Sequence, residues 1–304
     1  MRRILYLLAA ATLVACGSDG GAATSKHVLV IGVDGLRVDG LVVASTPALD
    51  GLIASGAVTS DAFAGGELGA ATEQPTFSGP GWSSILTGVW VDKHGVTNNG
   101  LQGARYDEYP HFFARVREKN PDAYLSSFVS WQPINVILLE SAEADQAFAP
   151  MVPTSAEADA AVTSAVVEHL KAQTPDVVFV HLDEVDHQGH VAGFSPMVPQ
   201  YLDAVEMVDA QIGQMLDAVR ARPTYAMEDW LVLVTTDHGG LGQLHGGQSD
   251  EERTIFIIAS GGSVRIGETI SPGPGHTAIP PTVMKHLQLS VDSAWGWESA
   301  PFGF

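Results

Sequence analysis

HVLVIGVDG, residues 27–35, is a largely apolar run that ends at an Asp-Gly pair. A continuous apolar segment bounded by a turn signal is typical of a strand buried on both faces of a parallel sheet. Similar apolar runs recur at residues 125–130, 177–182, 230–236 and 254–259. We therefore expect these five segments to be neighbouring strands of one central sheet.

Helix-period segments lie between the apolar runs and predict helices over residues 47–55, 110–119, 155–172, 199–220 and 280–287. Strands that alternate with helices favour a mostly parallel sheet sandwiched by helices. Because no internal repeat and no Pro/Ser-rich linker interrupts the pattern, residues 27–304 are predicted to form a single α/β domain. The aromatic-rich tail is expected to pack back on this domain.

Composition excludes several classes of protein. The chain has 304 residues, of which 45% are apolar and 16% charged, and its formal net charge is -20. Such an acidic chain does not favour nucleic-acid polymers or anionic lipid as main partners. The single cysteine, Cys16, can build neither a disulfide framework nor a thiolate zinc finger.

That cysteine follows a segment with the layout of an export signal. Two arginines precede an apolar run that ends at Ala15, and the residues before Cys16 resemble a bacterial lipobox. The resemblance implies a signal peptide at residues 1–15, cleavage before Cys16 and acylation of its thiol, with a flexible tether at 16–26. The expected product is an exported bacterial lipoprotein, periplasmic or on the cell surface, that touches the membrane only through its lipid anchor. An ordinary signal peptide or a buried start is the alternative.

Carboxylates and imidazoles follow three of the predicted strands. Asp34 follows the first strand, Asp186 and His190 follow the 177–182 run, and Asp237-His238 follows the 230–236 run. His245 lies seven residues beyond His238. Ligands bind at the carboxyl ends of strands in open α/β sheets, so these side chains should share one rim. A thiolate-free set of carboxylate and imidazole ligands suits zinc, with manganese or iron as lesser options.

A candidate nucleophile precedes a predicted helix. Ser78 stands before Gly79-Pro80, and residues 81–87 are typical of a helix start. A hydroxyl there faces unpaired backbone N–H groups and the positive end of the helix dipole, which favours an anionic substrate. The alternative is that Ser78 only caps the helix.

Together, seven segments resemble the alkaline phosphatase superfamily, and in particular its type I phosphodiesterase/nucleotide pyrophosphatase branch. They are VDG (33–35), PTFS (75–78), SILTG (84–88), HG (94–95), EVDHQGH (184–190), TDHG (236–239) and HG (245–246). The resemblance covers roughly residues 27–290 and implies an alkaline phosphatase-like fold.

The resemblance also implies two divalent metal ions, which we expect to be zinc. Its implied ligands for one ion are Asp186, His190 and His245. Those for the other are Asp34, Asp237 and His238, with the Ser78 oxygen. His276 is a rival for the third ligand of the first ion, but His245 is preferred because it precedes the 254–259 strand, as the family's last histidine does. The implied reaction is hydrolysis through a phosphoseryl intermediate on Ser78, with Asn99 and backbone N–H groups near Gly79 holding phosphoryl oxygens.

Some positions depart from the family pattern. Ser78 stands where the branch usually has threonine, and Gly79 replaces an aromatic residue that stacks on the base in nucleotide pyrophosphatases. Nucleobase recognition is therefore expected to be weak, with Phe77 or Trp82 as other platforms. Trp82 also stands where sulfatases carry an arginine, which argues against a sulfatase.

The expected substrate is a small-molecule phosphodiester. No Lys or Arg occurs from Gly56 to Val91, whereas a dianionic monoester usually needs a cationic side chain. Asn99 suits the single charge of a diester, and Gly79, Gly81 and Trp82 are expected to leave room and an apolar wall for the second ester group. The alternatives are a phosphomonoesterase or phosphonate hydrolase of the same superfamily, or a non-catalytic metal- or phosphate-binding lipoprotein.

Other polar residues are assigned no direct role. Asp183 and Glu184 are interpreted as solvated loop carboxylates, and the alternative is that they orient metal-bound imidazoles. His187 is interpreted as an exposed loop residue that at most helps to bind substrate, and His94 as part of a structural turn. The histidines expected only to pack or to face solvent are His27, His111, His169, His181 and His286.

Overall fold

The computed structural model describes residues 24–139 and 144–304. Its strands are β1 (Ser25–Val33), β2 (Gly56–Phe63), β3 (Leu125–Val129), β4 (Gln146–Phe148), β5 (Val177–Leu182), β6 (Glu228–Thr235), β7 (Thr254–Gly261) and β8 (Glu268–Thr269). Its α-helices are α1 (Val38–Val43), α2 (Pro47–Ala54), α3 (Ser78–Thr87), α4 (Val91–His94), α5 (Phe112–Lys119), α6 (Ser155–Ala172), α7 (Glu184–Ala192), α8 (Pro199–Arg220), α9 (Asp250–Arg253) and α10 (Ile279–His286).

The eight strands form one sheet in the order β4-β3-β5-β1-β6-β7-β2-β8. Strand β7 pairs antiparallel with both β6 and β2, and every other pairing among the described strands is parallel. The expected mostly parallel sheet is therefore confirmed. The reversal of β7 matters for the site, because its first residue lies at the rim where β1, β5 and β6 end.

Helices cover both faces of the sheet, as the apolar strands require. Alternate residues of β1 point to opposite sides, so Val28 and Val30 lie in one core cluster and Leu29, Ile31 and Val33 in the other. The first cluster includes side chains of α3, α5 and α10. The second includes side chains of α2, α6 and α8.

The five predicted strands and five predicted helices are present, with small shifts at their ends. One shift corrects the end of the expected tether. Strand β1 begins at Ser25, so Ser25 and Lys26 belong to the sheet and not to the tether. They pair with Glu228 and Asp229, and Lys26 Nζ donates to Asp229 Oδ2 at 2.6 Å. The proposed signal peptide, Cys16 and the rest of the tether lie outside the described residues.

Strand β2 and helix α7 are elements that the sequence pattern did not indicate. The pairing of β2 with β7 shifts register between Thr59 and Ala62, where exposed Ser60 and Asp61 interrupt the apolar pattern. This irregularity explains why no strand period was visible there. The aromatic tail does pack back on the domain, with Trp295 4% and Phe302 3% exposed. None of the helices that the structure describes is both long and apolar enough to cross a bilayer.

Candidate metal centre and nucleophile

The polar residues that follow β1, β5 and β6 converge at one rim of the sheet. The first turn of α3 and the loop before β7 reach the same rim, and they bring Ser78 and His245 to it. The sequence-predicted ligands form two adjoining groups. We call Asp34, Asp237 and His238 the strand-end set, and Asp186, His190 and His245 the helix-loop set.

The strand-end set is fully buried, with all three residues at most 1% exposed. His238 Nε2 lies 3.2 Å from Asp237 Oδ2 and 3.5 Å from Asp34 Oδ1. The backbone N–H of Gly35 donates to the other Asp237 oxygen, Oδ1, at 3.3 Å. Within this set, Asp34 Oδ1 and Asp237 Oδ2 have no hydrogen-bond partner.

The helix-loop set is more open. Asp186 and His190 lie one turn apart on α7, and the two Asp186 oxygens lie 3.3 Å from His190 Nε2 and 3.6 Å from His245 Nε2. The two imidazoles face each other with their Nε2 atoms 3.0 Å apart. His245 also stacks on His238 with ring centroids 3.8 Å apart, so the two sets adjoin.

The three imidazoles share one tautomer. Their Nδ1 atoms donate to backbone carbonyls: His190 to Gln243 at 2.9 Å, His238 to Gly239 at 2.8 Å and His245 to Thr76 at 2.8 Å. In the neutral rings this assignment leaves each Nε2 as an unprotonated acceptor. Metal-bound histidines characteristically have their second nitrogen held in this way.

These atoms fit a bound cation. The unpartnered buried oxygens of Asp34, Asp186 and Asp237 would be costly without a compensating charge. Burial, together with the neighbouring carboxylates of Asp34 and Asp186, raises the pKa of Asp237 well above its ordinary value. The hydrogen bond to Asp186 raises the pKa of His190 to about 9, so this set also favours a positive charge at that imidazole. The donors are carboxylate oxygens and imidazole nitrogens, a set that suits zinc.

Ser78 is the first residue of α3 and does not cap it, since Phe77 occupies the cap position. The buried Ser78 hydroxyl lies 3.3 Å from His238 Nε2. The alternative that Ser78 only caps its helix is therefore wrong. A Cβ at Gly81 would lie 2.8 Å from Asp237 Cβ, so glycine allows this helix turn to approach the strand-end set.

Asn99 lies beside the nucleophile in an arrangement that differs from the expectation. Its Oδ1 accepts the Gly79 backbone N–H at 2.8 Å, so that N–H is not free to hold a phosphoryl oxygen. Gly79 is close-packed: a Cβ there would lie 2.4 Å from Asn98 O. Because Oδ1 is engaged, the exposed Asn99 side chain keeps its two Nδ2 donors available.

Two buried residues at the site have contacts that the sequence did not predict. His181 is fully buried, and its Nε2 lies 3.1 Å from Asp34 Oδ2. Trp82 is also fully buried and donates its indole N–H to the same oxygen at 2.8 Å. Trp82 therefore offers neither a platform for a base nor a wall for an ester group. Their partner lies far away in sequence, so no local signal could have revealed either contact.

The interpretation of Asp183 and Glu184 as solvated loop carboxylates is wrong, because residues 184–192 form a helix. Glu184 is 5% exposed and accepts a hydrogen bond from Gln188. Asp183 is half-buried, and burial and nearby Asp34 raise its pKa to about 7. His187 is exposed as expected, although on a helix.

The remaining histidines lie apart from the two sets. His276 is buried and stacks on Trp90, whereas His245 is the one that the structure groups with Asp186 and His238. His94 is buried and bonded to Ser84 and Gln74, as expected of a structural residue. His27, His111, His169 and His286 are also buried, so they pack inside the domain.

Comparison with known proteins agrees with this architecture. The family model for type I phosphodiesterase/nucleotide pyrophosphatase matches residues 28–141 and 131–243. Murine ectonucleotide pyrophosphatase/phosphodiesterase 5, in an inactive form with AMP, aligns with a TM-score of 0.65 at 14% identity, covering 88% of this chain and 96% of its own. A phosphonate monoester hydrolase of Agrobacterium radiobacter aligns with a TM-score of 0.62 at 14% identity, covering 87% and 74%. A 2-O GAG sulfatase aligns with a TM-score of 0.68 at 13% identity, covering 88% and 71%.

Among curated proteins, a 2,3-bisphosphoglycerate-independent phosphoglycerate mutase of Natronomonas pharaonis is 24% identical over 196 residues, or 61% of this chain. The corresponding mutase of Haloquadratum walsbyi is 26% identical over 139 residues, or 44% of this chain. The aligned regions span only 36% and 25% of these relatives' lengths.

Fold and site thus define an α/β protein of the alkaline phosphatase-like class with a candidate metal centre at the carboxyl ends of its strands. Since the family model covers more than half of the sequence, the chain belongs to the type I phosphodiesterase/nucleotide pyrophosphatase family. The resemblance inferred from the sequence motifs is confirmed.

Proposed function

We propose that the protein is a metal-dependent phosphodiesterase that uses Ser78 as its nucleophile. The observation that carries the proposal is the position of the Ser78 hydroxyl. It is buried at the amino end of α3 and lies 3.3 Å from His238 Nε2, which itself lies 3.5 Å and 3.2 Å from the unpartnered oxygens of Asp34 and Asp237.

Each ligand set is proposed to hold one divalent ion, zinc in our expectation. When bound, such ions lower the pKa of a hydroxyl and neutralise charge on phosphoryl oxygens. The strand-end set would hold one ion together with Ser78 Oγ, and the helix-loop set would hold the other. The tautomers fixed at Nδ1 leave all three imidazoles ready to act as neutral ligands.

Ser78 gives up its hydroxyl proton to solvent and attacks the phosphorus in line, so that the Oγ–P bond forms as the ester P–O bond breaks. The departing alkoxide leaves on the side opposite Ser78 and takes a proton from water. A water molecule then attacks the phosphorus, the Oγ–P bond breaks, and the Ser78 hydroxyl is restored. Helix α3 contributes its positive end to the developing charge. Asn99, oriented by the Gly79 N–H, can donate from Nδ2 to a non-bridging oxygen.

The positions of the nearby arginines support a diester substrate. Arg37 donates to the backbone carbonyls of Phe194 and Gly240, and Arg253 donates to those of Gly65 and Gly66. Arg105 donates to the Asp92 carbonyl. These guanidinium groups are engaged in holding loops, which argues against their use in binding a dianionic monoester.

Phe77 is the aromatic residue best placed to contact the second ester group. It precedes Ser78, is half-buried, and meets the His245 ring edge-on at 5.7 Å between centroids. Phe77 offers an apolar edge but no hydrogen-bond pattern for reading a base. Discrimination among nucleobases should therefore be weak.

The test compares bis(p-nitrophenyl) phosphate with p-nitrophenyl phosphate on zinc-loaded protein. We expect kcat/KM to favour the diester by about tenfold or more, or roughly 1.4 kcal/mol of transition-state preference. Equal or faster monoester hydrolysis, or faster turnover of a phosphonate or sulfate ester, would contradict the diesterase assignment.

The nucleophile is tested separately with Ser78→Ala, which should lose several orders of magnitude in kcat while keeping both ions. Ser83→Ala is the matched control, because Ser83 is buried in the same helix and its hydroxyl bonds to Gly79 O and Tyr106. Full activity of Ser78→Ala with both ions bound would show that another group attacks. Tight phosphate binding without turnover in the wild type would indicate a binding protein.

A further inference from the structure

His181 and Trp82 form a buried pair beneath the strand-end set, and neither takes part in the proposed reaction. Their rings meet edge-on with centroids 4.8 Å apart, and neither side chain is exposed. Both donate to one atom, Asp34 Oδ2, at 3.1 Å from His181 Nε2 and 2.8 Å from Trp82 Nε1. Because both side chains bond to the same Asp34 oxygen, the pair does more than fill the core.

The hydrogen bonds also assign the tautomer of His181. The backbone N–H of Trp131 donates to His181 Nδ1 at 3.4 Å, so Nδ1 is an acceptor and Nε2 carries the proton. This is the reverse of the tautomer found in the three candidate ligand histidines. His181 is therefore arranged as a donor to Asp34.

The two Asp34 oxygens therefore have different hydrogen-bonding environments. Oδ2 receives two N–H donors, whereas Oδ1 has no partner and lies 3.5 Å from His238 Nε2. Trp82 can reach this position because residue 32 is glycine, since a Cβ there would lie 2.2 Å from the indole ring. A glycine inside a central strand, where it weakens strand pairing, is explained by this close approach.

We propose that His181 and Trp82 are positioning residues, which hold Asp34 Oδ2 so that Oδ1 is the oxygen presented to a metal ion. The inference rests on the proposed function only in taking Asp34 as a metal ligand. Outer hydrogen bonds of this kind typically change metal affinity by 10–100-fold. The pair should therefore set how tightly the strand-end set binds its ion.

The test measures zinc affinity of the full chain by competition with a chromophoric chelator. His181→Leu removes the donor and should weaken one of the two ions by about 10–100-fold and leave the other unchanged. His181→Gln places an amide N–H where Nε2 stood and should stay within a few-fold of wild type. Trp82→Phe keeps an aromatic ring but removes the indole N–H, so it should show the same selective weakening.

His169→Leu is the matched control, since His169 is also buried but bonds to Ser126, away from both sets. It should leave both affinities unchanged. In cobalt-substituted protein, only the His181→Leu and Trp82→Phe variants should change the visible absorption of the weakened site. Because these measurements need no turnover, they remain decisive even if the protein hydrolyses no ester.

Three results would overturn the proposal. Unchanged affinities in His181→Leu and Trp82→Phe would show that the two donors do not position Asp34. Equal weakening in His181→Gln and His181→Leu would point to packing volume. Binding of a third zinc equivalent that His181→Leu abolishes would make His181 a ligand, since Asp34, His181 and Asp183 lie close enough together to hold an ion of their own.

Discussion

The two ligand sets differ in how the fold holds them. The strand-end set is fully buried and follows directly from β1 and β6, which are adjacent strands at the centre of the sheet. The helix-loop set combines a short helix with a loop, and the His190 side chain is 39% exposed. One half of the site is fixed by the sheet, and the other depends on the connections around it.

The helix-loop set depends on buried charged side chains that act as braces. Asp159 on α6 accepts the backbone N–H groups of Asp183 and Glu184, both at 2.9 Å, and thereby holds the start of α7. Glu252 accepts the N–H groups of Gly247 and Ser249 in the loop after His245. Exposed segments with few buried contacts open first. We therefore expect local opening to disrupt the helix-loop set before the strand-end set.

The largest expected effect comes from removing one ligand from each set. His238→Ala should lower kcat/KM by more than about 100-fold and release the strand-end ion, because losing an outer partner alone costs 10–100-fold. His190→Ala should cost less, since water can replace an exposed ligand. Metal content and kcat/KM of both variants, measured side by side, check this order. A greater loss of kcat/KM and metal content in His190→Ala than in His238→Ala would contradict this order.

Ion release should follow the same order. When zinc-loaded protein is mixed with excess chelator, we expect two phases, with the helix-loop ion leaving about tenfold or more faster because its ligand His190 is 39% exposed, whereas the strand-end ligands are fully buried. Stopped-flow absorbance of the chelator–zinc complex measures both phases, and His190→Ala should affect the fast phase alone. A single phase, or a slow phase that changes in His190→Ala, would contradict this assignment.

Asp159→Ala should lower the free energy of unfolding by about 2–3 kcal/mol, because three hydrogen bonds to a buried carboxylate are lost. The third comes from Ser130 Oγ at 2.5 Å. The variant should also weaken zinc binding to the helix-loop set, whose helix it no longer holds. Chemical denaturation of the metal-free protein and zinc titration give the two readouts.

Asp209→Ala is the matched control for that prediction. Asp209 accepts the N–H groups of Ala48 and Leu49 at the start of α2, which carries no candidate ligand. It should lower stability without changing either zinc affinity. If zinc binding weakened equally in both variants, the cause would be a general loss of stability, and Asp159 would have no specific role in holding α7.

Much of this arrangement follows from sequence because the strand-end ligands lie next to buried strands. Asp34 and Asp237-His238 come directly after apolar runs, and parallel strands bring such ends to one rim. The sequence also brought Asp186 and His190 to this rim, but it did not indicate helix α7, which places them one turn apart. In contrast, the roles of His181 and Asp159 depend on partners 147 and 24 residues away, as measured to Asp34 and Asp183. Nothing in their own neighbourhood distinguishes them from ordinary core residues.

The smallest expected effect concerns acid stability on the face of the sheet covered by α3. Burial lowers the pKa of His94 to about 3, whereas an unfolded histidine titrates near its ordinary value of 6.5. The folded state therefore keeps His94 neutral while the unfolded state takes up a proton, so stability falls as pH drops below 6.5 and continues to fall toward 3. Between pH 6 and pH 5, this one group should remove about 1 kcal/mol.

His94→Gln abolishes that titration, so its free energy of unfolding should decline less steeply than that of the wild type over the same interval, whatever its value at neutral pH. Urea denaturation of the metal-free proteins at pH 6 and pH 5 measures the difference, and His187→Gln serves as the control for loss of an exposed imidazole. Because His94 bonds to Ser84 of α3, this acid sensitivity belongs to the helix that carries Ser78 and Trp82. If the free energy of unfolding declined equally in wild type and His94→Gln, protonation of His94 would not be coupled to folding. Any acid sensitivity of this face would then come from other groups.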